Sequence, residues 1–431
     1  MTVKRMSTMV LVFGGMAGHA YATNGMNVEG FGPIASSMGG ASMAYDNGAA
    51  AMMNNPATLG LGAEGDTLSL MIGGLMPDVE VVGVQSSDGD AYYMPAAGWT
   101  RKSGSLTYGV GMFAQGGMGT EYAMGRDGLP ERSELGVGRL IAPLVYNVSP
   151  KLSIGGSVDF VWAMLDLQMA MPFGDGTYGM SSLVTVLPTG ALGGALALGS
   201  GDTVRINYSD DSDYSGKAKG HGFAGKIGFT YKINDVFNVG GTYHSKTSLG
   251  DLETGSAGAQ FIVNGVPSGS GKITVRDFQW PETYGLGMAV QASPELMLVA
   301  DWKRINWRDV MKNFTMTYSA MGDSMTFALP QNWENQDVLQ LGLAYKATAA
   351  LTLRMGASFS DNPVPDSTMH YLFPAIEKNH YMAGFGYAIN DNSSIDFSLQ
   401  VAPEVEQTNS TFGSTVTHSQ TSWQLLYSMG F

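Results

Sequence analysis

Six charged residues stand where they could act together. Each lies in a run that alternates large apolar with small or polar residues, so its neighbours fix its side. Ile154, Val158, Phe160 and Trp162 mark one face and turn Asp159 to the other. Leu298 and Trp302 do the same for Asp301 and Lys303, and Leu353, Met355 and Phe359 for Arg354. Ile395, Phe397 and Leu399 turn Asp396 inward, and Leu144 with Tyr146 turns Arg139 inward. Two chemistries are open to such a set. The ions can pair and brace the interior, or one cation can hold the carboxylate of a ligand, for which the guanidinium fork is suited. Catalytic chemistry has no support. His221, His244, His370, His380 and His418 show no ligand spacing, and no nucleophile elbow or recognisable Ser/His/Asp arrangement occurs. With no cysteine there is no disulfide frame and no thiolate metal site. We expect no enzyme, no cofactor and no metal.

The elements that hold these residues are strands. Over 431 residues, 44% are hydrophobic and only 14% charged, with 59 glycines and a net charge of −14. The acidic balance argues against nucleic acid. Mean hydropathy is +0.01, which excludes a helical membrane bundle and suits a transmembrane β-barrel, where outward apolar and inward polar residues cancel. The N-terminus fits export. Lys4 and Arg5 precede an apolar stretch, Met9 to Gly18, that ends at the small-x-small site Ala20-Tyr21-Ala22. Residues 1–22 are read as a signal peptide cleaved near Ala22, and the location as the outer membrane of a Gram-negative bacterium.

Short polar turns recur between alternating runs, at 146–152, 231–237, 290–296, 345–351, 387–395 and, less regularly, 101–105. Four of them follow a tyrosine, as an interfacial aromatic belt would require. Six turns on one side predict an all-β, antiparallel barrel of about fourteen strands over 66–431, among them 152–170, 236–250 and 272–292. Seven longer loops would lie outside, the third at about 171–219. In the last strand Trp423, Leu425, Tyr427, Met429 and the terminal Phe431 share one face. This resembles the signal read by the barrel-assembly machinery.

Residues 23–65 do not alternate. They are rich in Gly, Ala, Met and Asn and contain Asn55-Pro56-Ala57. The stretch from Phe31 to Ala57 resembles the N-terminal hatch of the FadL/TodX outer-membrane transport family, which carries an Asn-Pro-Ala motif in a plug inside the barrel. Leu341-Gly-Leu-Ala-Tyr345, Leu351-Thr-Leu-Arg-Met-Gly356 and Asp361-Asn-Pro-Val-Pro-Asp366 resemble the family's later motifs. The residues themselves suit a deformable plug, since glycine lowers steric cost and Pro56 restricts Asn55. Phe31, Met38, Met43, Met52, Met53 and Leu59 could line a ligand path or merely pack.

The resemblance implies passive transport of hydrophobic compounds, long-chain fatty acids first and aromatic hydrocarbons as the alternative, by a monomer with lateral release into the bilayer. A general diffusion porin or an outer-membrane phospholipase are the readings from other classes. A porin needs no plug of forty residues. The third outer loop carries Leu183, Val186, Leu187, Leu192 and Leu196 with no charge from Thr177 to Gly201, and reads as short amphipathic helices offering an apolar groove. Asp210, Asp211 and Asp213 beside it could meet lipopolysaccharide through divalent cations or simply be solvated. Gly109, Gly111, Gly116 and Gly117 suggest a bulge or kink in the third strand. In the family a kink there opens a gap in the wall, so the ladder is expected to break around Gly109 to Gly117.

Overall fold

A computed structural model describes residues 24–173, 183–188, 190–196, 201–212, 215–411 and 413–431. The expected signal peptide lies outside the described residues. The chain forms one antiparallel sheet whose last long strand pairs with its first. Strands of seven residues or more are β1 (Gly65–Val81), β2 (Tyr92–Ser103), β3 (Leu106–Tyr122), β4 (Glu131–Ser149), β5 (Leu152–Phe173), β6 (Asp202–Tyr208), β7 (Ala218–Lys232), β8 (Phe237–His244) and β9 (Val266–Arg276). They continue as β10 (Thr283–Gln291), β11 (Leu296–Ile305), β12 (Asn313–Ala320), β13 (Asp323–Pro330), β14 (Gln336–Lys346), β15 (Leu351–Ser360), β16 (Asn379–Asn390), β17 (Ser393–Thr408) and β18 (Thr415–Gly430).

Among the described residues these are eighteen strands of that length, not about fourteen. The surplus is β6, β12 and β13, in stretches expected to be loops, and β9, whose second half was expected to be the start of one strand with β10. β6 pairs with the outer end of β5, β9 with β12, and β12 with β13. Their alternation buries one face, with Ile206, Ile273, Val275, Met316, Tyr318, Met325 and Phe327 fully covered. Period two marks a strand but does not say whether it belongs to the wall. The expected strand 272–292 divides for a local reason. Asp277 takes a φ of 49° and Pro281 has no N–H to give a ladder, so β9 and β10 pair with different neighbours. The expected strand 236–250 ends at His244.

The ring itself runs β1–β2–β3–β4–β5–β7–β8–β10–β11–β14–β15–β16–β17–β18 and closes on β1. The six tight turns join β2 to β3, β4 to β5, β7 to β8, β10 to β11, β14 to β15 and β16 to β17. The outward face is apolar, as the alternation requires. Leu144, Tyr146, Phe223, Ile227, Leu286, Trp302, Tyr387 and Leu425 are exposed, while Arg139, Asp159, Asp301, Gln340, Gln400 and Gln424 on the other face are buried.

Candidate functional site

Residues 24–62 are almost wholly buried and bonded to strands on all sides of the ring. Short turns carry them, because the stretch has too few β-branched residues and too many Gly and Ala to compete for the ladder. Pro56–Leu61 is a 3₁₀ helix capped by Asn55, whose Oδ1 accepts from Ala57 N at 3.1 Å. The Asn55 amide also donates to Met43 O at 2.8 Å and to Phe229 O on β7 at 3.0 Å. One fully buried side chain therefore folds the segment on itself and ties it to the wall. Ala57 and Gly60 carbonyls accept from Ser153 and Asn147. A Cβ at Gly356 of β15 would run into the Met38–Gly39 backbone, so the wall is thinned there to admit the segment. Asn55→Ala removes three hydrogen bonds, worth about 1 kcal/mol each, from the segment and none from the ladder. We expect altered uptake with an intact barrel, read as changed ligand flux at unchanged heat-modifiable gel mobility.

Sequence reasoning missed Glu29, which four wall residues hold. His380 Nε2 lies 3.0 Å from its Oε1 and Gln400 donates to its Oε2. Lys303 Nζ and Gln340 Nε2 both donate to its carbonyl at 2.9 Å. Of the six charges expected inside, all are inside, in three separate groups. Arg139 Nη1 meets Asp159 Oδ2 at 2.8 Å. Arg354 Nη1 meets Asp396 Oδ1 at 2.7 Å. Asp301 accepts from the Ser42 and Met43 amides at 2.6 and 3.0 Å, and Lys303 turns to Glu29 instead. Lys226 also bonds Asp159. It was legible, since Phe223, Ile227, Phe229 and Tyr231 face out on its strand, but it was not singled out. Outside the membrane-spanning part, the Arg205 guanidinium beside Asp127 holds that carboxyl below its ordinary range.

The wall is broken at β3. Pairing with β2 ends at Ala97↔Met112, so the ladder between β2 and β3 stops there, and farther along β3 the Glu121 backbone bonds to Ser87 and Asp88 instead. Pairing with β4 omits Gly109 and Val110, opposite Pro143, which has no N–H to give, and it shifts by one residue between Ala114 and Gly116. Gly116 bridges to Asn27 of the N-terminal segment at a φ of 153°, where a Cβ would meet the Met26 carbonyl. Gly116 and Gly117 thus lie in the break, whereas Gly109 and Gly111 pair with Thr100 and Gly98 of β2.

A cavity of about 270 Å³ opens at this break. Met94, Met112, Phe113, Met118, Trp162 and Met164 line it, with Gly116 and Gly117. None of the six expected lining residues does. Phe31, Met52, Met53 and Leu59 pack with Val28, Ala96, Phe113, Ile141 and Val145, and Met38 packs with Ala41, Tyr45 and Val299. Met43, Phe31 and Met53 border a void of only about 20 Å³. A second cavity, about 450 Å³, lies beside the tight turns and is polar, with Lys102, Lys151, Lys232 and Ser153 in its lining.

The expected outer groove takes another form. Leu183 and Leu192 are buried, Val186 and Leu187 are exposed, and the Leu196 side chain lies outside the described residues. Val184–Val186 is a short strand on β13, and one helix, Ala191–Leu196, follows. Asp211 accepts from Gln168 and Asp210 from Ser215, and Asp213 lies outside the described residues. No group of acids and histidines able to hold a metal occurs among the described residues.

The family model described as outer membrane protein transport protein (OMPP1/FadL/TodX) matches residues 16–424. The toluene transporter TbuX of Ralstonia pickettii is 31% identical, with 94% of this chain and 99% of that chain covered and a TM-score of 0.79. The toluene transporter TodX of P. putida is 29% identical over 94% and 99%, with a TM-score of 0.80. A FadL homologue of Pseudomonas aeruginosa shares the fold at 16% identity, covering 94% and 100%, with a TM-score of 0.72. A curated relative from Chlorobium limicola, called an uncharacterized protein in the phosphoenolpyruvate carboxykinase gene 5′ region, is 52% identical over 63 residues. The match spans 14% of this chain and 31% of that relative's length. The chain belongs to the OMPP1/FadL/TodX family of outer-membrane transport proteins, and its ring is an outer-membrane β-barrel of that family.

Proposed function

We propose that this barrel passes small neutral aromatic hydrocarbons passively across the outer membrane and releases them sideways between β2 and β3. The fourteen strands of the closed ring cross the membrane, residues 23–65 serve as the hatch, and the chain acts as a monomer. The observation that carries the reading is the apolar cavity seated at the break in the wall. A long-chain fatty acid fits less well. No lysine or arginine lines the cavity, while Glu134 and Glu377 do. Arg139 and Arg354 are tied to carboxylates and Lys303 to the Glu29 carbonyl, in the bracing role. The relatives near 30% identity are described as toluene transporters. Phe431 follows β18 and is exposed, where the barrel-assembly machinery would read it. Lipopolysaccharide would surround the outer end.

The test compares toluene with oleate in a deletion strain carrying the gene. Toluene uptake above the empty strain with no gain for oleate is expected, and the reverse pattern would overturn the substrate assignment. In the purified barrel, Arg139→Gln, Lys303→Gln and Arg354→Gln should weaken the binding of toluene and of oleate by the same factor. A loss confined to oleate would restore the carboxylate-holding role. Swelling of liposomes by small sugars would instead reveal an open porin.

A further inference from the structure

The apolar cavity holds one feature that a pure hydrocarbon does not use. Glu377, fully buried, lines it beside His418. His418 Nε2 lies 2.8 Å from Glu377 Oε1, and its Nδ1 lies 2.5 Å from the Pro374 carbonyl. The ring is thus held between the Pro374 carbonyl and the Glu377 carboxyl. Oε1 lies at ion-pair distance from the ring without a hydrogen bond, so neither oxygen of this carboxylate has a hydrogen-bond partner among the described residues. A buried carboxylate oxygen left in this state is costly, and a ligand donor would complete it. The acid belongs to the segment between β15 and β16 and the histidine to β18, so the pair is made only where those elements meet the cavity.

We infer that the cavity selects aromatic rings bearing a hydroxyl or amino group, with Glu377 Oε2 accepting the ring's hydrogen bond. The ring lies among Phe113, Trp162, Met112 and Met164, and the polar substituent points to the carboxylate. Glu134 also lines the cavity, but Arg132 pairs with it. The inference rests on the transport reading above and narrows its substrate class.

Toluene and p-cresol differ only by the hydroxyl, so their binding to the purified full-length barrel, measured by calorimetry in detergent, isolates the term. We expect p-cresol to bind about tenfold more tightly, the worth of one hydrogen bond to a charged acceptor. Glu377→Gln should cut that preference by at least roughly threefold, and Glu377→Leu should bring it to about one while toluene still binds. If the leucine variant fails to fold, the glutamine variant decides. Equal binding of the two ligands by the natural protein, or a preference unchanged in Glu377→Gln, overturns the inference and leaves hydrocarbon transport standing. If toluene itself does not bind, the transport reading falls and this inference with it.

Discussion

Joining β2 to β3 across the gap should stop transport. In a Met94→Cys, Ala114→Cys protein bridged by a short cleavable bis-thiol reagent, toluene flux is expected to fall at least roughly tenfold and to return on reduction. The flux is the rate into reconstituted vesicles. The chain has no cysteine of its own, so only the introduced pair can react. The argument is energetic. A ligand with roughly 200 Å² of apolar surface loses about 5 kcal/mol on entering water at ~25 cal/mol per Å². The second cavity, beside the tight turns, has three lysines in its lining and would offer no relief from that cost. The gap lets the ligand go from apolar cavity to apolar bilayer without meeting water. It stays open because the β2–β3 ladder stops at Ala97↔Met112 and the Gly116 backbone bridges to Asn27 instead. A matched control places the two cysteines at Arg101 and Tyr108, which already pair and do not line the cavity, and should leave flux unchanged. Undiminished flux in the bridged protein would end the lateral route.

Much of this was written in the sequence. Alternation located the wall, the six turns and the inward charges because in a barrel one face meets lipid along the whole strand. The glycines of β3 marked the region of the break. What the sequence left unmarked depends on which strand lies beside which. β6, β9, β12 and β13 alternate like wall strands, and only their partners reveal that they build an outer sheet. Glu29, Glu377 and His418 carry no local pattern. Glu29 meets His380 and Glu377 meets His418 only because the ring closes. The hatch methionines left two roles open, lining and packing. Their composition suited a ligand path, yet they pack against one another and the wall.

Asp159→Asn is expected to be the most damaging single change to barrel stability, about 3–5 kcal/mol. Asp159 is fully buried and receives Arg139, Lys226 and the Ser157 hydroxyl. The group has two cations and one anion, so its charge count predicts an asymmetry. Removing the acid leaves two buried cations with no opposite charge, and each also repels the other. Removing one cation leaves a balanced pair. Lys226→Met should therefore cost much less than Asp159→Asn, because Arg139 still satisfies Asp159 and the methionine refills the volume. Adding Lys226→Met to Asp159→Asn should recover part of the loss by leaving a single uncompensated charge. The readout is the urea concentration at which the heat-modifiable band shifts to the unfolded position. Equal costs for the two single changes would show that volume and hydrogen bonding, rather than charge balance, set the stability of this part of the interior.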